Sequence, residues 1–296
     1  KMSQLPKKIL FVINPISGSG KQKNIGGVIE RYLDKFKFSF ELVFTTHPKH
    51  AEEIILQQQA HFDIIIAVGG DGSVNQIGAS LINSPVVFGI IPAGSGNGLA
   101  RHLNIPLNFK GAIELINSYQ QPIKMDVAKM NGHCFLSTAG TGFDAHVAWK
   151  FSTATTRGFL TYAKITLQEL FKYKIKKYKL EINDQIIEVN ALAVTIANSN
   201  QYGNNAYVSP QSKLDDGFLR LIVIKAFPVY YAPLIIFRLF NKSLLKSKFV
   251  DMHKLKRIVI TSPTEHVQLD GESLTMEQKL NIEIIPHCLH IIGNIQ

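Results

Sequence analysis

The sequence predicts an α/β N-terminal domain with a parallel sheet, followed by a mostly antiparallel, β-rich C-terminal domain. Three observations carry this. Apolar strand-like runs alternate with helical segments up to about residue 120. Glycine-rich turns fall at the ends of three of those runs. After Pro122 the style changes, and strand-like runs follow one another with tight turns such as Asn131-Gly132 between them.

In the first part, Lys8 to Asn14 reads as a strand, Ile25 to Phe36 as a helix, Phe40 to Thr45 as a strand and His50 to Ala60 as a helix. The run Ile64 to Val68 is apolar throughout, as a strand covered on both faces requires. Asn75 to Leu81 reads as a helix, Val86 to Ile91 as a strand, and Gly98 to Leu103 and Lys110 to Ser118 as two further helices. In the second part, strands are expected at Met125 to Met130, Cys134 to Ala139, Tyr178 to Ile182, Gln185 to Ile196, Phe218 to Ile224, Arg257 to Ser262, Val267 to Leu269 and Leu280 to Ile285. Two helical insertions, Phe159 to Tyr173 and Val229 to Lys246, interrupt them. The domains are therefore placed at residues 1–124 and 125–285.

The 296 residues suffice for two cores, and 46% hydrophobic with 18% charged residues is ordinary globular composition. No run reaches the roughly 20 apolar residues that span a bilayer, and Ile9 to Ile13 is too short for a signal peptide, so a cytoplasmic protein is expected. Cys134 and Cys288 cannot make a disulfide framework, and no HExxH or CxxC pattern suggests zinc. The net charge of +10 fits nucleic acid, an anionic membrane or a phosphate-rich ligand. Lys172, Lys174, Lys176, Lys177 and Lys179 crowd one segment, and Arg238 to Arg257 another, each with large apolar residues between the charges. Core packing explains those apolar residues; an interfacial surface on anionic lipid explains them together with the lysines. No nucleic-acid motif is recognisable, so no nucleic-acid partner is expected.

Ligands of parallel sheets bind at the carboxyl ends of the strands. Three turns lie there: Asn14 to Lys21, Gly69-Gly70-Asp71-Gly72-Ser73-Val74-Asn75, and Pro92 to Gly98 with Gly94, Ser95 and Asn97. Glycines let backbone approach a ligand, and a following helix start offers N–H groups to phosphate. Asp71 among those glycines would repel phosphate unless it holds Mg2+ or takes a proton, which points to phosphoryl transfer. Its bland alternative is helix capping. Asp270-Gly271-Glu272 is either an ordinary hairpin turn or, beside a phosphate cradle, a source of general base. Asp215-Asp216-Gly217 is a turn or a hard-cation site, and Thr45 is a strand-end hydroxyl near a nucleotide or plain surface.

Taken in order, Asn14-Pro15-Ile16-Ser17-Gly18, Gly69 to Asn75, Pro92 to Ala100, Asp215-Asp216-Gly217 and Leu269 to Glu272 make the chain similar to the diacylglycerol kinase catalytic-domain family, the bacterial lipid kinases together with sphingosine kinases. The resemblance implies ATP-dependent phosphorylation of a lipid hydroxyl between a nucleotide domain and a β-rich lipid-facing domain. It implies that the strand at 286–296 returns to the first domain. It implies ATP contacts from Thr45, Gly69 to Asn75 and Ser95, Glu272 as proton acceptor, and Asp71 organising Mg2+ or acting as base. It implies a structural Mg2+ site of Asp216 with the carbonyls of Lys213 and Phe218. The expected partners are ATP and a lipid at the inner membrane face, met peripherally; a homodimer is compatible with the sequence. Ser73 stands where bacterial members usually carry Thr, Gln76 where Glu is common, and Gly98 where many carry Asp, while Pro92 to Asn97 is similar to sphingosine kinases. The acceptor is thus diacylglycerol, a sphingoid base, a ceramide-like lipid or another long-chain alcohol. A kinase of a soluble acceptor such as NAD, and a nucleotide-binding regulator without catalysis, are the alternatives.

Overall fold

A computed structural model describes residues 6–17, 24–155 and 158–294. The glycine-rich part of the first turn, residues 18 to 21, lies outside them. The described chain forms two compact units, residues 1–125 with 287–296, and residues 126–286.

The first unit is built on β1 (Lys7–Ile13), α1 (Ile25–Tyr32), β2 (Phe38–Phe44), α2 (His50–Gln58), β3 (Ile64–Gly69), α3 (Asp71–Ser80), β4 (Val87–Pro92), α4 (Gly98–His102) and α5 (Phe109–Ser118). Its strands pair in parallel in the order β4-β3-β1-β2. β3 is buried along its whole length, which is why its sequence is an unbroken apolar run. Register fixes the strand ends together: Ile13 pairs with Val68 and with Phe44, and Gly69 with Pro92. The three turns therefore leave the sheet at one edge. Residues 287–292 complete this unit. Ile291 pairs with Phe88, and the Asn83 N–H donates to the carbonyl of Cys288.

α3 begins at Asp71, four residues earlier than the sequence pattern predicts, so Gly72, Ser73, Val74 and Asn75 belong to its first turns. The apolar periodicity starts only at Val74, whose side chain is buried, and that hides the polar first turn. α1 ends at Tyr32, before the predicted Phe36, because Leu33 is extended.

The second unit holds the rest of β5 (Ile123–Met130), then β6 (His133–Phe135), β7 (Thr138–Gly142), α6 (Phe143–Ser152), α7 (Phe159–Leu170), β8 (Lys176–Ile182), β9 (Gln185–Ala197), β10 (Leu219–Lys225), α8 (Ala232–Phe240), β11 (Val250–Leu255), β12 (Arg257–Thr261), β13 (His266–Leu269), β14 (Glu272–Thr275) and the start of β15 (Lys279–Ile291). Its strands pair antiparallel among the described residues. β9 is the hub. Its first half pairs with β8; its second half runs between β7 and β10. Alternation along β10 sends Leu219, Leu221 and Val223 into one core and Ile222 into a second, which α8 covers through Ile235.

The predicted strand Cys134 to Ala139 is two strands, β6 and β7. The N–H groups of Leu136, Ser137 and Thr138 turn to the carboxylate of Asp270. The predicted helix Val229 to Lys246 is a 3-10 turn, then α8, then a second 3-10 turn, with Lys242 at positive φ ending the helix. α6, β11 and β14 were not legible. α6 starts after Gly142, where φ is 102° and an added Cβ would lie 2.7 Å from the Leu192 carbonyl and 2.7 Å from the Tyr178 hydroxyl. Gly142→Ala is therefore expected to destabilise the protein by about 2 kcal/mol or more. Denaturant unfolding monitored by circular dichroism checks this.

Candidate active site

In the first unit, backbone and side-chain hydrogen bonds weld the strand-end turns into one surface. Asn14, after β1, donates from Nδ2 to Ser73 Oγ at 3.0 Å. Its own N–H goes to the Val68 carbonyl, and the Ala93 N–H goes to the Gly69 carbonyl. Asp71 accepts the Asn97 N–H at 2.9 Å and the Gly98 N–H at 2.8 Å, one on each carboxylate oxygen. Asn97 adopts a left-handed conformation, and its amide bonds the N–H and carbonyl of Gly94 at 3.0 and 2.8 Å. Arg101 donates Nε to the Gly96 carbonyl.

Glycine here serves turn against turn. A Cβ at Gly94 would lie 2.5 Å from the Gly70 Cα. Any side chain at either position would push the two turns apart. Gly70 also caps α3 without a side-chain bond, so the positive end of that ten-residue helix is offered to an anion. Ser95 is exposed beside it, and Ser73 is half-buried. Val74 contributes only backbone, since its side chain is in the core. Thr45 extends β2, with its N–H on the Ile13 carbonyl at 2.9 Å. This end of the sheet thus joins Asn14, Gly69 to Asn75, Gly94, Ser95 and Asn97. Its donors suit a polyphosphate, and its carboxylate, hydroxyl and amide oxygens are the class that suits Mg2+.

In the second unit, the turn from β13 to β14 carries Asp270, Gly271 and Glu272. Asp270 has φ 49° and accepts three backbone N–H groups, from Leu136, Ser137 and Thr138, at 2.8 to 2.9 Å. Its carboxylate is committed to holding the turn. Glu272 is exposed. Desolvation of its carboxyl, then the negative charge of Asp270, raise its pKa above the ordinary glutamate value.

Two residues beneath this turn were missed. Gln268 is 3% exposed and accepts the Gly271 N–H at 2.9 Å. Its amide nitrogen reaches Asp144 Oδ2 at 3.4 Å. Asp144, in the first turn of α6, also accepts Thr195 Oγ1 at 3.1 Å. Burial pushes its carboxyl up to about 6. The available signal was a lone acid after two glycines, Gly140 and Gly142.

The Asp216 turn is already filled. Arg220 is 5% exposed. Its Nη2 meets Asp216 Oδ2 at 2.5 Å, and its Nη1 donates to the Phe218 carbonyl at 2.9 Å. Lys254 Nζ is 3.3 Å from the same Asp216 oxygen. Burial works against the charge of Asp216, but Arg220 and Lys254 outweigh it and hold the carboxyl below its ordinary range. This donor set does not fit a divalent cation, because the guanidinium occupies two of the three oxygen ligands that the resemblance implies. Arg220 escaped notice because it stands in an apolar strand run.

A further cluster, unforeseen in the sequence, joins His47, His50 and Glu53 after β2, with ligand atoms within 4.8 Å of one another. The Thr46 N–H donates to His50 Nδ1 at 3.0 Å.

The diacylglycerol kinase catalytic domain model matches residues 8–130, and the YegS C-terminal NAD kinase beta sandwich-like domain model matches residues 137–293. A Yersinia pestis protein named as a probable YegS-like lipid kinase is 29% identical over 76% of this chain and 77% of its own length. An uncharacterised Synechocystis protein is 26% identical over 97% of this chain and 70% of its own. A crystal structure of a proposed diacylglycerol kinase from Bacillus anthracis, 27% identical, superposes with a TM-score of 0.78 over 97% of both chains. With the two domain models in series, on a parallel-sheet unit and an antiparallel one, the chain belongs to the diacylglycerol kinase catalytic-domain family, in its YegS-like lipid kinase branch.

Proposed function

We propose that the chain transfers the γ-phosphoryl group of ATP to a hydroxyl of diacylglycerol or a related lipid, a sphingoid base or ceramide-like lipid included. The observation that carries the reading is the welded surface of turns at the uncapped start of α3, with Asp71 bonded into it. The triphosphate rests on the N–H groups of Gly72 and Ser73 and on the Gly94 to Asn97 turn, with Thr45 toward the rest of the nucleotide. Asp71 and neighbouring oxygens would hold Mg2+, which would supply positive charge against the transferred group. Asp71 also keeps the Pro92 to Gly98 turn in place.

Glu272 takes the proton of the lipid hydroxyl as that oxygen bonds to the γ-phosphorus and the bond to the ADP oxygen breaks. A carboxylate with a raised pKa is a stronger proton acceptor. Asp270 and Gln268 position the turn that carries it. A second reading, an NAD-phosphorylating kinase, draws on the likeness of residues 137–293 to an NAD kinase-like sandwich domain.

The lipid substrate implies work at a membrane surface. Among the described residues, no helix is long and apolar enough to cross a bilayer. Tyr230 and, on α8, Phe237 and Phe240 are exposed, with Arg238 and Lys242 beside them. Aromatic groups at headgroup depth and basic groups, about 1 kcal/mol each on anionic lipid, support peripheral attachment there.

Purified protein with radiolabelled ATP is expected to label one product in a total lipid extract; labelled NADP with no labelled lipid would select the second reading. Asp71→Ala is expected to remain folded by circular dichroism and lose phosphoryl transfer. Glu272→Gln should lower kcat by about 100-fold or more with little change in the KM for ATP. Because the pKa of Glu272 is raised and the base must be ionised, kcat/KM should fall with decreasing pH through a value above that of ordinary glutamate. That acid limb should vanish in Glu272→Gln. Phe237→Ser with Phe240→Ser should reduce co-sedimentation with phosphatidylglycerol vesicles while sparing turnover of a dispersed short-chain acceptor.

A further inference from the structure

The misfit at Asp216 has a physical explanation on β10. Arg220 lies on the same face of that strand as Ile222, whose side chain is in the core under α8. A cation placed there must be paired, because an isolated buried charge is costly. Across the ladder, Arg220 stands directly opposite Lys254 of β11. Like charges directly opposite on antiparallel strands repel. Asp216 resolves both problems at once. Its Oδ2 meets Arg220 at 2.5 Å and Lys254 at 3.3 Å, and its Oδ1 accepts the Phe218 N–H at 3.2 Å. The guanidinium also takes the Phe218 carbonyl. Lys254 sits 4.0 Å above the Phe218 ring, which stabilises its charge on the other side.

The neighbouring backbone is held by a separate acid. Asp126, fully buried, accepts the Gly217 N–H at 2.6 Å, and its own N–H donates to the Leu214 carbonyl. The turn from Leu214 to Phe218 is therefore closed at both ends without help from a bound ion.

We propose that Arg220, with Lys254, is this chain's internal replacement for a structural divalent cation: the Asp216 turn is cross-linked by a guanidinium and takes no Mg2+ or Ca2+. A dication there would displace Arg220 from two oxygens and lie against two positive side chains, with one carboxylate to balance all three. The guanidinium meets the planar demand of a carboxylate and a carbonyl with a rigid fork, which an ammonium cannot do. The inference goes beyond the phosphoryl-transfer reading and rests on the second unit alone. Its tests involve no catalysis, so its failure and the failure of that reading are separate events.

Crystals of the nucleotide-free protein soaked in MnCl2 locate bound divalent ions by anomalous scattering. No peak is expected within bonding distance of Asp216 and the Phe218 carbonyl; a peak there overturns the proposal. In parallel, the thermal midpoint of Arg220→Gln is compared with that of the EDTA-dialysed wild-type protein. The variant is expected to unfold about 5 °C or more lower, and millimolar MnCl2 or CaCl2 should raise its midpoint by filling the vacated oxygens. A midpoint equal to that of the wild type would show that the guanidinium holds nothing together and overturn the inference. Should Arg220→Gln not fold, Arg220→Lys, which keeps the charge but loses the fork, is expected to lie below the wild type as well. An unchanged midpoint for that variant would likewise overturn it.

Discussion

Two hydrogen bonds that the Asp71 carboxylate accepts, from the N–H groups of Asn97 and Gly98, decide whether the first unit has one continuous surface at its strand ends or three unrelated loops. The parallel register brings the strand ends level, but level ends are not yet a site. The carboxylate closes the gap between the turn before α3 and the turn before α4. Gly70 and Gly94 make that closure sterically possible, since their backbones touch where side chains would stand. Ser73 and Asn14 extend the weld to the first turn. Negative charge next to the proposed phosphate site would be unfavourable in isolation. Here it is shared with two backbone dipoles, which reduces the repulsion and fixes the orientation of the acid.

The same device recurs in the second unit. Asp270 gathers three consecutive N–H groups, Asp126 gathers the Gly217 N–H, and Asp216 gathers two cations. Short acids reach backbone donors that no sheet ladder can satisfy, and buried donors without partners are costly. The acids of this chain therefore divide by what they hold. Glu272, two residues after Asp270, differs from Asp216: desolvation and the charge of Asp270 raise its pKa, whereas Arg220 and Lys254 hold that of Asp216 down. Rigid neighbours around an acid with a raised pKa are what a proton acceptor needs.

The parallel unit was legible because its signals are local. Ile64 to Val68 followed by Gly69-Gly70-Asp71-Gly72 declares a buried strand and a turn within nine residues. Membership of the lipid kinase family was legible for the same reason, since its motifs are short and contiguous. The second unit was less so, because long-range contacts override local pattern there. β6 and β7 part where Asp270, 134 residues away, captures the Leu136 N–H. α6 was hidden by Gly140 and Gly142, which suggest a loop, and by a helix that is apolar without clear periodicity. Arg220 was visible as the one charge in the apolar run Leu219 to Ile224, and such a charge demands a counterion. The resemblance implies a metal at Asp216, which conceals the pairing.

The order of the chain has a consequence for how the first unit is made. Its β4 edge is completed by Ile291 and Ile292, and the carbonyls of Cys288 and Leu103 receive the N–H groups of Asn83 and Asn294. Those partners leave the ribosome only after every residue of the second unit. The N-terminal unit must therefore wait, with an open strand edge, through the synthesis of about half the chain, an interval in which exposed edges invite wrong pairing. Translation order and completion order are inverted: of the two units, the one whose residues are mostly made earlier is completed later.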